Sequence, residues 1–211
     1  MSTLHVPPGR AGRLRLRHSL HVAERGADLL EQKLRILRAE HQRLQQAEEA
    51  TAHVWQKRVK EAETWLVRGL LLSGEGALEA AAEALDRTDV AAHWTSFMGA
   101  RYPEGVSCTV PTRPPTIAAP ANTALVHAEA AYRDAVRAAA EHAAAAAAVR
   151  IIDAEVLSTR QRVRALQRHW IPNLREALAR TDLALEESEH EDAVRRRWAS
   201  SVRREEGPRS R

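Results

Sequence analysis

The sequence is poor in the residues that stabilise small compact domains. Of its 211 residues one is a cysteine, Cys108, and aromatic residues make up 4%. A single cysteine excludes a disulfide within the chain. No apolar run approaches the roughly 20 residues that a membrane-spanning helix needs, and the segment around Pro7 and Pro8 lacks the apolar core of a signal peptide. We therefore expect a cytoplasmic protein that does not itself span a membrane.

Charged residues, by contrast, make up 28% of the chain, and Ala, Leu, Glu, Arg and Gln dominate long stretches of it. This composition is typical of extended helices packed along narrow apolar seams. The net charge of +4 is unevenly distributed. Residues 1–18 carry +4 and residues 194–211 carry +5, which leaves −5 for the residues between them. If the two ends of the chain meet, one tip of the molecule is strongly basic, with a charge of +9.

The N-terminal part repeats apolar residues with the alternating four and three spacing of a coiled-coil seam. The seam then weakens towards residue 65, and the sequence SGEG at 73–76 is expected to end the helix. We predict a first long helix within residues 1–72, about 90 Å long at about 1.5 Å per residue. The predicted seam consists of Leu16, Leu20, Ala23, Ala27, Leu30, Leu34, Leu37, His41 and Leu44, followed by Glu48, Thr51, Trp55, Arg58, Ala62 and Trp65.

Residues 73–121 are predicted to form an insert. A short helix is expected over 77–86, and the β-favouring residues within 93–110 predict a β-hairpin. Four prolines make 111–121 an extended connector. Asn122 or Thr123 then caps a second long helix over 122–204, and 205–211 form a basic tail.

The second helix contains a proline within the stretch RVRALQRHWIPNLREAL, residues 162–178. An interior proline costs a helix roughly 3 kcal/mol, yet apolar or small residues keep a three or four spacing on both sides of it. We therefore predict one long helix kinked at Trp170, Ile171 and Pro172, with Trp170 on the apolar stripe. The expected fold is mainly α: a long antiparallel two-helix coiled coil with a small middle insert and both termini at one end.

The sequence offers little to a catalytic or metal-binding interpretation. GEG at 74–76 is not followed by the Lys-Ser or Lys-Thr of a phosphate-binding loop. His18 and His21, three residues apart on a helix, could share a metal, but the pattern implies no third ligand, and solvated surface histidines are the simpler interpretation. The acidic and basic residues of 185–197 are expected to pair with each other on the surface, Glu191 with Arg195 and Asp192 with Arg196. We predict no catalytic residue, no cofactor and no metal.

Both ends of the chain and its middle resemble the D subunit of the V-type and A-type rotary ATPases, the central rotor stalk. The second helix carries the most specific likeness, in TRQRVRALQRHWIPNLREAL and LALEESEHEDAVRRRW, and Met98, Gly99 and Pro103 are similar to the Met-Gly turn of the family's β region. Departures are Glu31 and Leu34 in place of basic residues, Arg164 in place of Asn and Gln167 in place of Glu. In the first helix the matching residues are Pro8, Arg10, Leu16, Leu20, Gly26, Leu29, Leu30, Lys33 and Leu37.

The resemblance implies a non-catalytic shaft inside a hexamer of alternating A and B subunits, with both termini in its bore. The insert end would hold the F subunit and sit on the socket subunit above the membrane rotor, on the inner face of the cell membrane. ATP hydrolysis or synthesis would be coupled to proton or sodium transport. By this resemblance Met98, Gly99 and Pro103 are insert contacts, and the residues of the hexamer bore are Arg10, Arg13, Arg17, Arg195, Arg196, Arg197 and Trp198.

Two other classes of protein fit the residues alone. A basic coiled coil can bind the phosphates of nucleic acid, although apart from Trp198 the basic segments lack the interleaved aromatic residues of a nucleic-acid surface. A helical scaffold protein is the third interpretation. For Trp198 itself, contact with a partner and capping of the helix pair remain equal alternatives. On the resemblance we expect no nucleic-acid partner.

Overall fold

The structure is a computed structural model that describes residues 9–83 and 87–205, with only the backbone described at residues 83 and 202–205. It confirms a mainly helical fold with two long helical segments and a small β-hairpin between them. Residues 1–8 and 206–211, and therefore Pro8 and most of the predicted basic tail, lie outside the described residues. The elements in chain order are α1 (Arg10–Glu83), β1 (Asp89–Phe97), β2 (Ala100–Thr109), α2 (Thr123–Ala165), a π-helical turn (Leu166–Trp170) and α3 (Ile171–Glu205).

The chain divides into two compact units. The terminal unit comprises Met1–Gln32 and Thr159–Arg211, and the central unit comprises Lys33–Ser158. Helix α1 contributes its beginning to the terminal unit and the rest of its length to the central unit.

In the terminal unit, α1 packs against the C-terminal helical segment along a seam of buried apolar side chains. Polar contacts across this seam join Arg13 to Asp182 and Glu24 to Arg175, so the two helices run antiparallel. The seam positions on α1 are those that the heptad pattern predicts, because a repeat of three and four residues keeps one helix face towards its partner. The buried cluster consists of Leu16, Ala23, Ala27, Ile171 and Leu174, flanked by Leu20, Leu166, Ala177 and Leu178.

In the central unit the seam between α1 and α2 becomes more polar, as the sequence predicts. Predicted seam residues from Leu34 to Leu44 are buried or half-buried. Farther along, Trp55 stacks on His142 with ring centroids 5.3 Å apart, and Trp65 stacks on His127 at 4.6 Å. Arg58 is an exception, since its side chain is exposed. Aromatic side chains thus fill the seam where leucine no longer does.

Gly74 interrupts α1 with φ of 72° and ψ of 178°, a conformation that residues with a Cβ rarely adopt. This interruption lies within the SGEG sequence where the first helix is predicted to end. Helical conformation nevertheless resumes and continues to Glu83. The predicted end of the short helix at Asp86 lies outside the described residues.

The hairpin begins four residues earlier than the stretch 93–110 in which it is predicted. Phe97 pairs with Ala100 across a two-residue turn formed by Met98 and Gly99. Both turn residues have positive φ, 51° and 87°, which is the conformation that the right-handed twist of a tight hairpin favours. Farther from the turn the register shifts by one residue, so that Glu104 is the extra residue of a β-bulge.

One face of the hairpin packs against the helix pair of the central unit. Ala100 and Tyr102 join the buried cluster formed by Leu44, Ala148 and Ile152. The hydroxyl group of Tyr102 donates a hydrogen bond of 2.9 Å to Glu40 Oε1 on α1. The hairpin is therefore fixed to both long helices by apolar packing and by a polar contact.

Two polar residues fix the connection between the hairpin and α2. Arg113 forms a partly buried ion pair with Glu129 and donates a hydrogen bond to the carbonyl oxygen of Ala81. Asn122 accepts a hydrogen bond of 2.8 Å from the Leu125 N–H and so caps α2, which selects between the two predicted capping residues. Its side-chain amide also donates to the Gly69 carbonyl oxygen on α1. No helix or strand is formed over residues 110–122, as the prolines predict.

The second long helical segment continues through Pro172, but the prediction that Trp170 fills the seam is wrong. Trp170 is 45% exposed, and Ile171 is buried in its place. The cause is the π turn just before the proline, in which the Ile171 N–H donates to the Leu166 carbonyl oxygen, five residues back rather than four. The extra residue per turn shifts the side chain that faces α1 by one position.

Candidate partner-binding surfaces

Three arginines near the beginning of α1 are predicted partner contacts, and two of them are paired with acidic residues of α3. Arg10 Nη2 lies 2.9 Å from Glu189 Oε1, and both side chains are exposed. Arg13 Nε lies 2.7 Å from Asp182 Oδ1, and these two atoms are shielded from solvent although neither forms an aligned hydrogen bond. Arg17 is exposed. Much of the positive charge at the beginning of α1 is therefore balanced by α3.

The arginines near the end of α3 follow this acidic stretch. Arg195 forms the predicted ion pair with Glu191, at 3.2 Å. The predicted pairing of Asp192 with Arg196 is wrong in detail: the Asp192 carboxylate lies 3.7 Å from Arg195, while Arg196 Nε donates to the Asp192 carbonyl oxygen. Arg197 is exposed and has no ion pair with a described residue.

Arg195, Arg196 and Arg197 begin six residues beyond Glu189, the residue that pairs with Arg10. The structure therefore pairs Arg10 and Arg13 with the acidic stretch of α3 rather than joining them to this second arginine group. Trp198, next to that group, is 72% exposed. The side chains of Arg203 and Arg204, together with Arg209 and Arg211, lie outside what the structure describes, so the predicted charge of +9 at one tip stays a prediction.

The hairpin presents an apolar face on the side opposite to the helices. Side chains alternate between the two faces of a strand, so Trp94 points away from Phe97, which packs on the helices. Trp94 and Val90 are each 52% exposed. The guanidinium carbon of Arg101 lies 5.4 Å from the centre of the Trp94 ring, a cation–π contact. We call this surface the outer face of the hairpin; it comprises Val90, Ala92 and Trp94 and their cross-strand partners Cys108, Val106 and Pro103.

Of the predicted insert contacts, Met98 is exposed at the tip of the hairpin, Gly99 forms the turn with it, and Pro103 is buried opposite Trp94 on the outer face. The prediction did not include Trp94 or Val90, although both are exposed. Their signal was present in the sequence, since Val90, Ala92 and Trp94 repeat with the period of two that defines one strand face.

The third predicted feature is a helix kink at Trp170, Ile171 and Pro172, and the structure places Pro172 two residues after the end of the π turn. Pro172 is exposed, and so is Arg168, whose carbonyl group a proline at this position cannot bond. Both residues therefore lie on the solvent side of the helix. Proline and π turns are both established causes of helix kinks.

Comparison with known protein families assigns these features to one family. The family model for the D subunit of ATP synthase matches residues 13–201, which covers both long helical segments and the hairpin. The chain belongs to the ATP synthase D-subunit family. Members of this family are non-catalytic stalk subunits of a rotary ATPase and part of its peripheral complex. No curated protein matches the chain significantly.

Two further observations concern the described residues only. Residues 9–83 and 87–205 include no helix that is both long enough and apolar enough to cross a membrane. Within the same ranges no group of three or more His, Cys, Asp and Glu side chains is arranged to hold a metal ion.

Proposed function

We propose that this member of the D-subunit family is the central rotor shaft of its ATPase. In this role it transmits torque between a catalytic hexamer of A and B subunits and the ion-translocating rotor in the membrane. The observation that carries the proposal is the family match over residues 13–201. The antiparallel helix pair in each unit supports it, because two helices packed along a seam resist twisting better than one. The proposal places the complex on the inner face of the cell membrane, coupled to proton or sodium transport.

The bore of the hexamer would receive the chain termini. Support comes from Trp198, which is largely exposed, and from Arg17 and Arg197, which are exposed cations without an ion pair to a described residue. An exposed tryptophan beside arginines is the composition of an interface hot spot. On these grounds Arg10, Arg13, Arg17 and Arg195–Arg197 remain proposed contacts of the A and B subunits.

The outer face of the hairpin is the proposed site of the F subunit, and the insert end is the proposed contact with the socket subunit. Val90, Trp94 and Met98 leave apolar surface exposed on a hairpin whose opposite face is already packed on α1 and α2. Binding of the F subunit would bury that surface.

Titration of the F subunit with hairpin variants tests this contact. Trp94→Ala should weaken binding by about 2 kcal/mol or more if the indole is a central anchor. His93→Ala is a matched control, because His93 is the exposed neighbour on the opposite face of the same strand. Equal affinities for wild type and both variants would remove the outer face from the proposed interface.

Pro172 has a proposed role in coupling. A fixed kink makes the shaft asymmetric, so that equivalent pairs of A and B subunits meet different faces of it. Pro172→Ala should stabilise the helix and lower ATP-driven ion pumping relative to ATP hydrolysis in the reconstituted complex. Pumping unchanged by the substitution would argue against this role.

Native mass spectrometry of the chain mixed with the A, B and F subunits from the same organism tests the proposed assembly. The expected complex holds one copy of this chain for three A and three B subunits. A folded, helical chain that binds neither the hexamer nor the F subunit would contradict the proposal and would call for nucleic-acid titrations at several salt concentrations.

A further inference from the structure

The π turn Leu166–Trp170 ends two residues before Pro172. In an uninterrupted α-helix the Arg168 carbonyl group would receive a hydrogen bond from residue 172. A proline there has no N–H to donate, and its ring would collide with that carbonyl group. Because a π turn is wider than an α turn, it separates the proline ring from Arg168. The position of the turn is thus explained by the position of the proline.

The same turn decides which side chain faces α1. From Leu166 to Leu174 the chain takes eight residues, and two α-helical steps of four residues would place Trp170 between them in the seam. The structure instead takes a step of five and a step of three, so Ile171 is 7% exposed and packs in the cluster that contains Ala23 and Ala27. Two neighbouring residues therefore compete for one position in the seam.

We propose that Pro172 acts as a register lock in the terminal unit: it holds the π turn, keeps Ile171 in the seam and keeps Trp170 on the surface. Without the lock, the segment between Leu166 and Leu174 would return to α-helix, with Trp170 in the seam and Ile171 outside it. The same eight residues separate the two flanking leucines in either register. The inference concerns the helix pair alone and does not depend on the proposed function.

Contacts with α1 on both sides of Pro172 favour a local change of the seam residue over a movement of the whole helix. Before the proline, Gln167 donates a hydrogen bond to Glu31 on α1. After it, Arg175 Nη2 donates to Glu24 Oε1 at 2.7 Å. A sliding of the whole helix would break both contacts, whereas a change from π to α within residues 166–171 need not break them.

Alanine substitutions in two backgrounds test the lock in the full chain. With Pro172 present, Ile171→Ala should lower the urea midpoint of unfolding more than Trp170→Ala does. In the Pro172→Ala background the order should reverse, because the indole then fills the seam. Asn173→Ala provides the control background, because Asn173 is an exposed neighbour of Pro172 whose backbone N–H is already present. In this background Ile171→Ala should still lower the urea midpoint more than Trp170→Ala does. The same order in the Pro172→Ala and wild-type backgrounds would overturn the proposal.

Fluorine NMR of chains labelled with 5-fluorotryptophan gives a direct readout, with the Trp170 signal assigned by Trp170→Phe. A soluble gadolinium chelate should broaden this signal in the wild type and in Asn173→Ala. The signal should be protected in Pro172→Ala and also in Pro172→Gln, a second variant that restores the N–H. Broadening as strong in both proline variants as in the wild type would show that Pro172 does not set the register.

Discussion

The terminal unit and the central unit hold a helix pair together by different means. In the terminal unit Leu, Ile and Ala side chains form the seam, and ion pairs such as Glu24 with Arg175 lie on the surface. In the central unit the seam contains two Trp–His stacks, and a hairpin covers it at Ala148 and Ile152. The comparison shows that one chain can pack a two-helix seam in two ways: with apolar side chains alone, or with aromatic stacks and a hairpin packed beside an apolar cluster.

One fully buried residue in each unit offers the most disruptive test of this difference. Ile152→Ala and Leu174→Ala each remove a side chain with no exposed surface, and each should lower the free energy of unfolding by about 2–5 kcal/mol. Only Ile152→Ala should also loosen the hairpin, since Ile152 alone of the two lies in the cluster with Tyr102. Urea unfolding followed by circular dichroism measures the first effect, and amide hydrogen exchange of β2 measures the second.

Leu183→Ala serves as the control for both variants, because Leu183 is largely exposed and should change stability little. Faster exchange in β2 for Leu174→Ala as well would contradict the assignment of the hairpin to the central unit's core.

Two helical glycines, one in each unit, should respond to alanine with opposite signs. A Cβ at Gly69 would lie 2.5 Å from Leu125 Cδ2 and 3.3 Å from the Leu125 backbone nitrogen. Leu125 is buried and has little room to move, so Gly69→Ala should destabilise by about 1–3 kcal/mol. A Cβ at Gly26 would meet nothing within 4 Å, so Gly26→Ala should stabilise by about 0.5–1 kcal/mol.

Thermal unfolding of these two variants beside the wild type measures both signs. If Gly69→Ala is as stable as Gly26→Ala, α1 and α2 do not approach each other as closely at Gly69 as the structure describes.

The hydrogen bond between Tyr102 and Glu40 should contribute about 0.5–1.5 kcal/mol, as measured by urea unfolding of Tyr102→Phe. Hydrogen bonds from Arg43 and Tyr102 hold the pKa of the Glu40 carboxyl group below its ordinary value of 4.5, Arg43 having the larger effect. A lowered folded pKa stabilises the protein above pH 4.5 and loses this contribution as the pH falls through the folded value.

Burial, and then the bond to Glu40, raise the pKa of Tyr102 above its ordinary value of 10.0. A raised folded pKa stabilises the protein below pH 10.0 and loses that contribution as the pH rises through the folded value. The wild type should therefore exceed Tyr102→Phe in stability most between these two limits. A stability difference independent of pH from about 3 to about 11 would show that this bond does not link the hairpin to α1.

The ion pair between Glu24 and Arg175 should have the smallest effect. Both side chains are substantially exposed, and such pairs contribute about 0–1 kcal/mol. A double-mutant cycle with Glu24→Gln and Arg175→Gln at low and high salt measures the coupling, which should fall as salt screens the charges. A coupling energy well above this range would show that surface ion pairs, and not the apolar seam, hold the terminal unit together.

Much of this architecture follows from the sequence because its signals are local. Heptad spacing locates the α1 seam from Leu16 to Leu44, and alternating residues with turn signals locate the hairpin. Residue spacing could not predict that Ile171, and not Trp170, faces α1. Spacing arguments assume 3.6 residues per turn throughout, and the π turn departs from that value. The outer face of the hairpin could have been predicted from the period-two spacing of its apolar residues. The acidic partners of Arg10 and Arg13 could not, because they depend on which residues the packing of two distant helices brings together.

Rotation observed in single complexes tests the central claim most directly. A bead would be attached at Ser96→Cys, an exposed position on the hairpin, in a chain whose Cys108 is replaced by Ser. With the hexamer of A and B subunits fixed to a surface, ATP should drive unidirectional rotation of the bead. The same bead-labelled complex should not rotate when ATP is absent. A bound chain that stays stationary while the hexamer hydrolyses ATP would contradict the role of this chain as the rotor shaft.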